Sequence, residues 1–99
     1  MKKLICILVL GLLWGGNAYA DCTIGNCIKG KSTYVFPSGN IYEGEFKNGK
    51  RHGKGVFIWS DGRKYVGKYK DSKKNGRGTL TYPDGKIMKG KWKNNMFVN

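Results

Sequence analysis

The residues best placed to do chemistry sit in GKRHGKGVFIWSDGRKYVGKY, residues 49–69, where the chain's single histidine, His52, stands among glycines and aromatic rings. A histidine beside a serine and a carboxylate could activate a nucleophile, and a glycine loop could cradle a phosphate. Neither reading finds its partners. Ser32, Ser38, Ser60 and Ser72 have no acid in a triad-like spacing with the histidine. Glu43 and Glu45 lie two apart, hence on one face of an extended strand, and imitate an acid–base pair. Their equivalents one unit on are Val66 and Lys68, which reads as solvated surface. GKRHGKG leads into alternating apolar residues, whereas a phosphate loop opens a helix whose first amides bind the anion. No catalytic residue, cofactor or metal-ligand set is assigned, and the chain is expected not to be an enzyme.

Cysteine supplies the remaining reactive group. Cys6 falls within Met1–Ala20, which has two early lysines, an apolar stretch from Leu4 to Trp14 and the ending Ala18-Tyr19-Ala20. That is the layout of a secretory signal peptide, and its apolar stretch is shorter than the roughly 20 residues that span a bilayer. Asp21 precedes Cys22 where lipid attachment wants a small uncharged residue. Cleavage after Ala20 is therefore expected, giving a soluble product in the periplasm or outside the cell. Cys22 and Cys27 then remain as an even pair, and an oxidising compartment favours a disulfide closing the loop CTIGNC. Free thiols, or a redox or metal role, are the alternatives; the spacing is wider than a C-x-x-C pair and further ligands are not close by.

What must position these groups is a repeat. From Gly39, GNIYEGEFKNGKRHGKGVFIWSD is followed by GRKYVGKYKDSKKNGRGTLTYPD and then by GKIMKGKWKNNMFVN, with a period of 23 residues and no gap. Tyr42, Tyr65 and Met88 correspond, as do Gly44, Gly67 and Gly90, and Phe46, Tyr69 and Trp92. His52 corresponds to Asn75, which predicts a polar turn residue and not a ligand. GKSTYVFPSG upstream fits the second half of a unit, with Ser32 in place of its second glycine. The expected organisation is a signal peptide over 1–20, a cysteine loop and partial repeat acting as a cap over 21–38, and repeats over 39–61, 62–84 and, in part, 85–99.

The pattern Y-x-G-x-x-x-x-G-x-x-x-G-x-G with an aromatic tail and D-G, carried by Tyr42–Gly62 and Tyr65–Gly85, resembles the MORN repeat. The second copy departs at Ser72, and the third replaces its tyrosine with Met88 and stops before its G-x-G. The chain is similar to small exported bacterial proteins that place a cysteine loop before a short run of such units. The resemblance implies membrane attachment or protein scaffolding, functions that MORN repeats elsewhere often serve beside a separate catalytic domain.

Physical patterning points to the same architecture. Tyr42, Gly44 and Phe46 share one parity, as do Gly55, Phe57 and Trp59, then Tyr65, Gly67 and Tyr69. A period of two means strands. KNGKRHG, SDGR, KDSKKNG and PDG read as turns. The expected fold is all-β: a single-layer antiparallel meander of about six strands, near 32–36, 41–46, 55–59, 64–69, 78–82 and 87–92, preceded by a signal-peptide helix. Glycines inside strands share a face with the aromatics Tyr42, Phe46, Phe57, Trp59, Tyr65, Tyr69, Tyr82 and Trp92, and leave room for a ring to lie across the backbone.

The other parity is cationic, and Lys64, Lys68, Lys70, Lys89, Lys91 and Lys93 are its candidate anion or lipid contacts. The chain's net charge of +13 becomes +11 once Lys2 and Lys3 leave with the signal peptide. So strong a balance predicts attraction to anionic surfaces and sensitivity to salt. Export sets nucleic acid aside in favour of anionic lipid, envelope polysaccharide or a protein partner. The expected function is thus a non-enzymatic binding or scaffold module of the envelope. Alternatives are a secreted protein-interaction factor acting on another cell and a structural piece associating through unpaired terminal strands.

Overall fold

The computed structural model describes residues 21–98, so the signal peptide and its helix, expected over 1–20, lie outside the described residues. The rest is one antiparallel sheet of eight strands in sequence order: β1 (Asp21–Ile24), β2 (Gly30–Val35), β3 (Ile41–Lys47), β4 (Lys50–Ile58), β5 (Lys64–Lys70), β6 (Lys73–Thr81), β7 (Ile87–Lys93) and β8 (Met96–Phe97). The meander is as expected. The six expected strands become eight because the cysteine segment adds β1 and the C-terminal segment adds β8.

A second difference concerns KNGKRHG and KDSKKNG, expected as long turns. Each turn needs only two residues, Asn48–Gly49 and Asp71–Ser72, all with positive φ between 50° and 75°. Paired positive φ values match the right-handed strand twist and close a hairpin tightly. The chain therefore re-enters the sheet at Lys50 and Lys73, and His52 and Asn75 lie in strands and not in turns. Gly53, with φ at 76°, serves a bulge: Gly44 pairs with Gly55, but Phe46 pairs with Arg51, leaving Glu45 opposite three residues. The same irregularity separates Gly67 from Tyr69. Bulges bend and twist the strands that carry them.

Each hairpin tip also holds the preceding one. The amides of Gly49, Ser72 and Asn95 donate to the carbonyls of Ile28, Arg51 and Lys74 at 2.9–3.0 Å. Ser72 Oγ and Asn95 Oδ1 return the bond by accepting from the amides of Arg51 and Lys74. At the other end, the PSG, SDG and PDG turns close identically, with Gly39, Gly62 and Gly85 donating to Phe36, Trp59 and Tyr82.

The core is a ladder of rings on one face. Phe46, Tyr42, Tyr69, Tyr65, Trp92 and Phe97 meet edge to face in that order, with centroids 5.1–5.6 Å apart. Edge-to-face contact is the favoured geometry for such pairs. Beneath them Ser32, Gly44, Gly55, Gly67, Gly78 and Gly90 pair in one row across β2 to β7. A Cβ at Gly55 would fall inside the Tyr42 ring, and one at Gly78 inside the Tyr65 ring. Tyr42 Oη donates to Glu45 O at 2.8 Å, Tyr65 Oη to Lys68 O at 2.9 Å, and Trp92 Nε1 to Gly78 O at 3.1 Å. Glycine row and rings are thus one packing device, as the parity argument required.

Candidate anion-binding groove

The aromatic candidates belong to the core. Tyr42 and Tyr65 are fully buried; Phe46, Phe57, Tyr69 and Trp92 are nearly so, and Trp59 and Tyr82 are half-buried. Burial pushes the phenols of Tyr42 and Tyr65 up to about 12 and that of Tyr69 higher still.

Two cations enter this face. The Arg51 guanidinium lies 5.1 Å from the Phe57 and Tyr69 centroids and donates to Ser72 O. One unit later, the Lys74 ammonium lies 5.4–5.8 Å from the centroids of Trp59, Tyr65 and Trp92. Desolvation, with Arg51 and Arg63 nearby, holds Lys74 below the usual lysine range. Sequence reasoning had left both residues in turns. The signal available was their shared position in the repeat, at the same parity as Gly55 and Gly78.

The opposite face carries the groove, of about 750 Å³. Its lining comes in triplets, each a member of the glycine row with the residue on either side: Lys31-Ser32-Thr33, Glu43-Gly44-Glu45, Lys54-Gly55-Val56 and Val66-Gly67-Lys68, with Arg77 and Ile24 beyond them. The bend at the bulged row therefore forms the floor and the flanking side chains form two walls. One wall runs through Thr33, Glu43, Val56 and Val66. The other is basic: Lys54 pairs with Lys68 and Arg77 with Lys91, on four consecutive strands.

Of the candidate cations, Lys68 lines the groove and Lys91 continues its basic wall, while Lys89 stands on the Val66 side across from Thr79. Lys64 lies one row further out, and Lys70 and Lys93 sit beside hairpin tips, so the six do not form one cluster. Lys31, Lys54 and Arg77 were missed and complete the wall. Glu45 interrupts it on β3, where its carboxylate accepts from the Lys54 amide at 3.2 Å over the bulge at Gly53. Among the described residues the ion pair present is Arg63–Asp61, at 2.9 Å and outside the groove, so the basic wall has no acid partner there. His52 lies in the bulged part of β4, and no three metal-ligating side chains come together among the described residues.

At the N-terminal end, Cys22 and Cys27 form the disulfide, and Cys27 is buried with the ring core. The Cys27 amide donates to Ser32 Oγ at 3.0 Å, which explains a serine in the glycine row: the cap uses its hydroxyl. No helix among the described residues is long and apolar enough to cross a membrane.

Comparison with protein families matches the MORN repeat at residues 42–62 and 65–87. Comparison with curated proteins finds no significant match. Each matched segment starts at the tyrosine that seals a glycine pair and runs through the bulged hairpin to the next D-G turn. MORN repeats are in general binding or scaffold modules and typically non-enzymatic. Both units are joined by the same tip bonds and the same ring ladder, and the chain carries two MORN repeats, at residues 42–62 and 65–87.

Proposed function

We propose that this protein is an exported, non-enzymatic binding module that holds an anionic component of the cell envelope in the groove opposite its ring core. The observation that carries this reading is the wall of Lys54, Lys68, Arg77 and Lys91 on consecutive strands, Lys54 opposite Lys68 and Arg77 opposite Lys91, without an acid among the four. Like charges so placed repel one another, at a cost that an anionic ligand would relieve. The Met1–Ala20 segment supports export, and the disulfide fits an oxidising compartment.

The test is binding of the disulfide-bonded protein to anionic polymers and vesicles across a salt series. Affinity should fall steeply as salt rises, because the contacts release counterions and are screened. Lys68→Glu with Lys91→Glu removes two wall charges and adds two of the opposite sign at exposed positions. The double variant should fold normally and lose binding by at least about tenfold, roughly 1.4 kcal/mol. Undiminished binding by it would discard the groove as the anion site.

A further inference from the structure

Resting on that reading, we infer that the negative group held in the groove is the terminal carboxylate of a partner polypeptide. Its last residue is aliphatic, and a basic residue lies about three positions before it.

The repeat itself supplies a template for the carboxylate. In the first unit the Glu45 carboxylate accepts from the Lys54 amide at 3.2 Å and rests on Gly53, where an added Cβ would stand 3.0–3.3 Å from it. One period later Gly76 and Arg77 build the same bulge, but Lys68 stands in the place of Glu45. The residue across from the Arg77 amide is therefore a cation and not an acid. Lys68 lies between Lys54, its partner on β4, and Arg77, across the bulge on β6, and all three line the groove. An external carboxylate supplies here what Glu45 supplies in the first unit, with the Arg77 fork able to donate to both of its oxygens.

The groove's own acids limit where negative charge can lie. Glu43 and Glu45 line its β3 end, one strand step, about 4.8 Å, from β4. A polyanion or an acyl chain laid along the lined floor from the cations would have to pass over both carboxylates. Glu45 has Lys31 opposite it, whereas Glu43 is exposed, faces Thr33 and Val56, and makes no ion pair among the described residues. It suits a cationic side chain. From β5 to β3 is two strand steps, about 10 Å, which an extended peptide covers in about three residues.

Apolar contact defines the last residue. Val56 and Val66 flank Gly55 and Gly67 on the side away from Lys54 and Lys68, two residues and about 6.8 Å along each strand. Val66 is 47% exposed. A ligand must therefore present a carboxylate and an aliphatic group from nearly one point. A C-terminal valine carries both on one Cα, whereas the neighbours of an internal aspartate project to the opposite face of an extended chain. Capture of a terminal carboxylate is a recurring mode of peptide recognition.

The experiment is calorimetric titration of the disulfide-bonded protein at low salt with the acetylated peptide Gly-Gly-Lys-Gly-Ser-Val. Beside it stand forms with an amidated C-terminus, with glutamate for the lysine and with glycine for the valine, and polyphosphate. Amidation should weaken binding by more than about tenfold, and glycine for valine by about fivefold. Glu43→Lys, at an exposed position, should reverse the preference, so that the glutamate peptide binds about tenfold better than the lysine peptide. Lys86→Gln, at an exposed turn outside the groove, should change binding less than about threefold. If the acid binds no better than its amide, or Glu43→Lys leaves the lysine preference intact, the C-terminal assignment falls. Binding of polyphosphate that Lys68→Glu with Lys91→Glu abolishes would then leave the anion groove standing. If neither peptide nor polyphosphate binds, both fall.

Discussion

Tyr42 and Tyr65 show how much of this fold rests on single side chains. Each ring occupies the space that a Cβ would need at Gly55 or Gly78. Gly55→Ala or Gly78→Ala must displace a fully buried ring and strand its hydroxyl bond, a cost of roughly 3 kcal/mol that lowers Tm by more than about 10 °C in so small a domain. Lys54→Ala, beside Gly55 but exposed, should cost less than about 0.5 kcal/mol. Thermal unfolding of the three variants decides this; equal Tm values would refute the ring-on-glycine account. The same burial sets an alkaline limit. The phenols of Tyr42 and Tyr65 keep their protons up to about 12 when folded, but lose them near 10 once unfolded. The folded state binds more protons in that window, so stability present below pH 10 should drain away as pH rises toward 12. Ring pairing with glycine was legible in the sequence because both are period-two signals on one strand. The ring-facing positions of Arg51 and Lys74 were not, because a cation in a glycine-rich run reads as a turn until cross-strand packing shows otherwise.

At the scale of the hairpin, the sequence revealed which segments pair but not where they turn. NG is a two-residue hairpin signal. Reading through it to Gly53 placed His52 in a turn, when Gly53 in fact supplies the positive φ of a bulge. DS at 71–72 carries no glycine, yet it takes the same turn because Ser72 is held by bonds to Arg51 from its amide and its hydroxyl. The cap is a different kind of element. β1 is four residues long and has one neighbour, β2, so the Cys22–Cys27 bridge substitutes for a missing unit. Closing so short a loop contributes about 2 kcal/mol. Replacing both cysteines with serine should therefore release β1 and the start of β2 while β4 to β7 stay protected in hydrogen exchange. Loss of protection spread evenly over all strands would show that the bridge supports the whole sheet and not its first unit. Of the groove, the cationic parity was readable from Lys68 and Lys91. Its basic wall was not, since Lys54 and Arg77 fall between the segments read as turns and the strands expected from 55 and 78, and the wall exists only once the strands pair.

The described residues form a single layer 47 × 32 × 17 Å in extent, in which strands touch mainly their neighbours in sequence. Among the described residues nothing packs over the groove face, so its charges face water and one another. With a net charge of +13 on the chain, self-repulsion is a standing cost to folding. Added salt screens that repulsion, and a bound polyanion neutralises it at the wall itself; the two effects have opposite dependence on salt. In protein alone, Tm should rise by a few degrees as a weakly interacting salt is raised from low to moderate concentration. With a saturating anionic polymer at low salt Tm should stand higher still, the folded state gaining about 2–3 kcal/mol of linkage at a hundredfold excess over Kd. On raising salt the two melting curves should converge from opposite sides, because screening that relieves the free wall also dissociates the ligand. A free-protein Tm that falls with such a salt would mean that attractive surface pairs dominate the energetics, against the single ion pair found among the described residues. A ligand-bound Tm that stays high in salt would mean that the apolar wall of Val56 and Val66 holds the ligand more strongly than the lysines do.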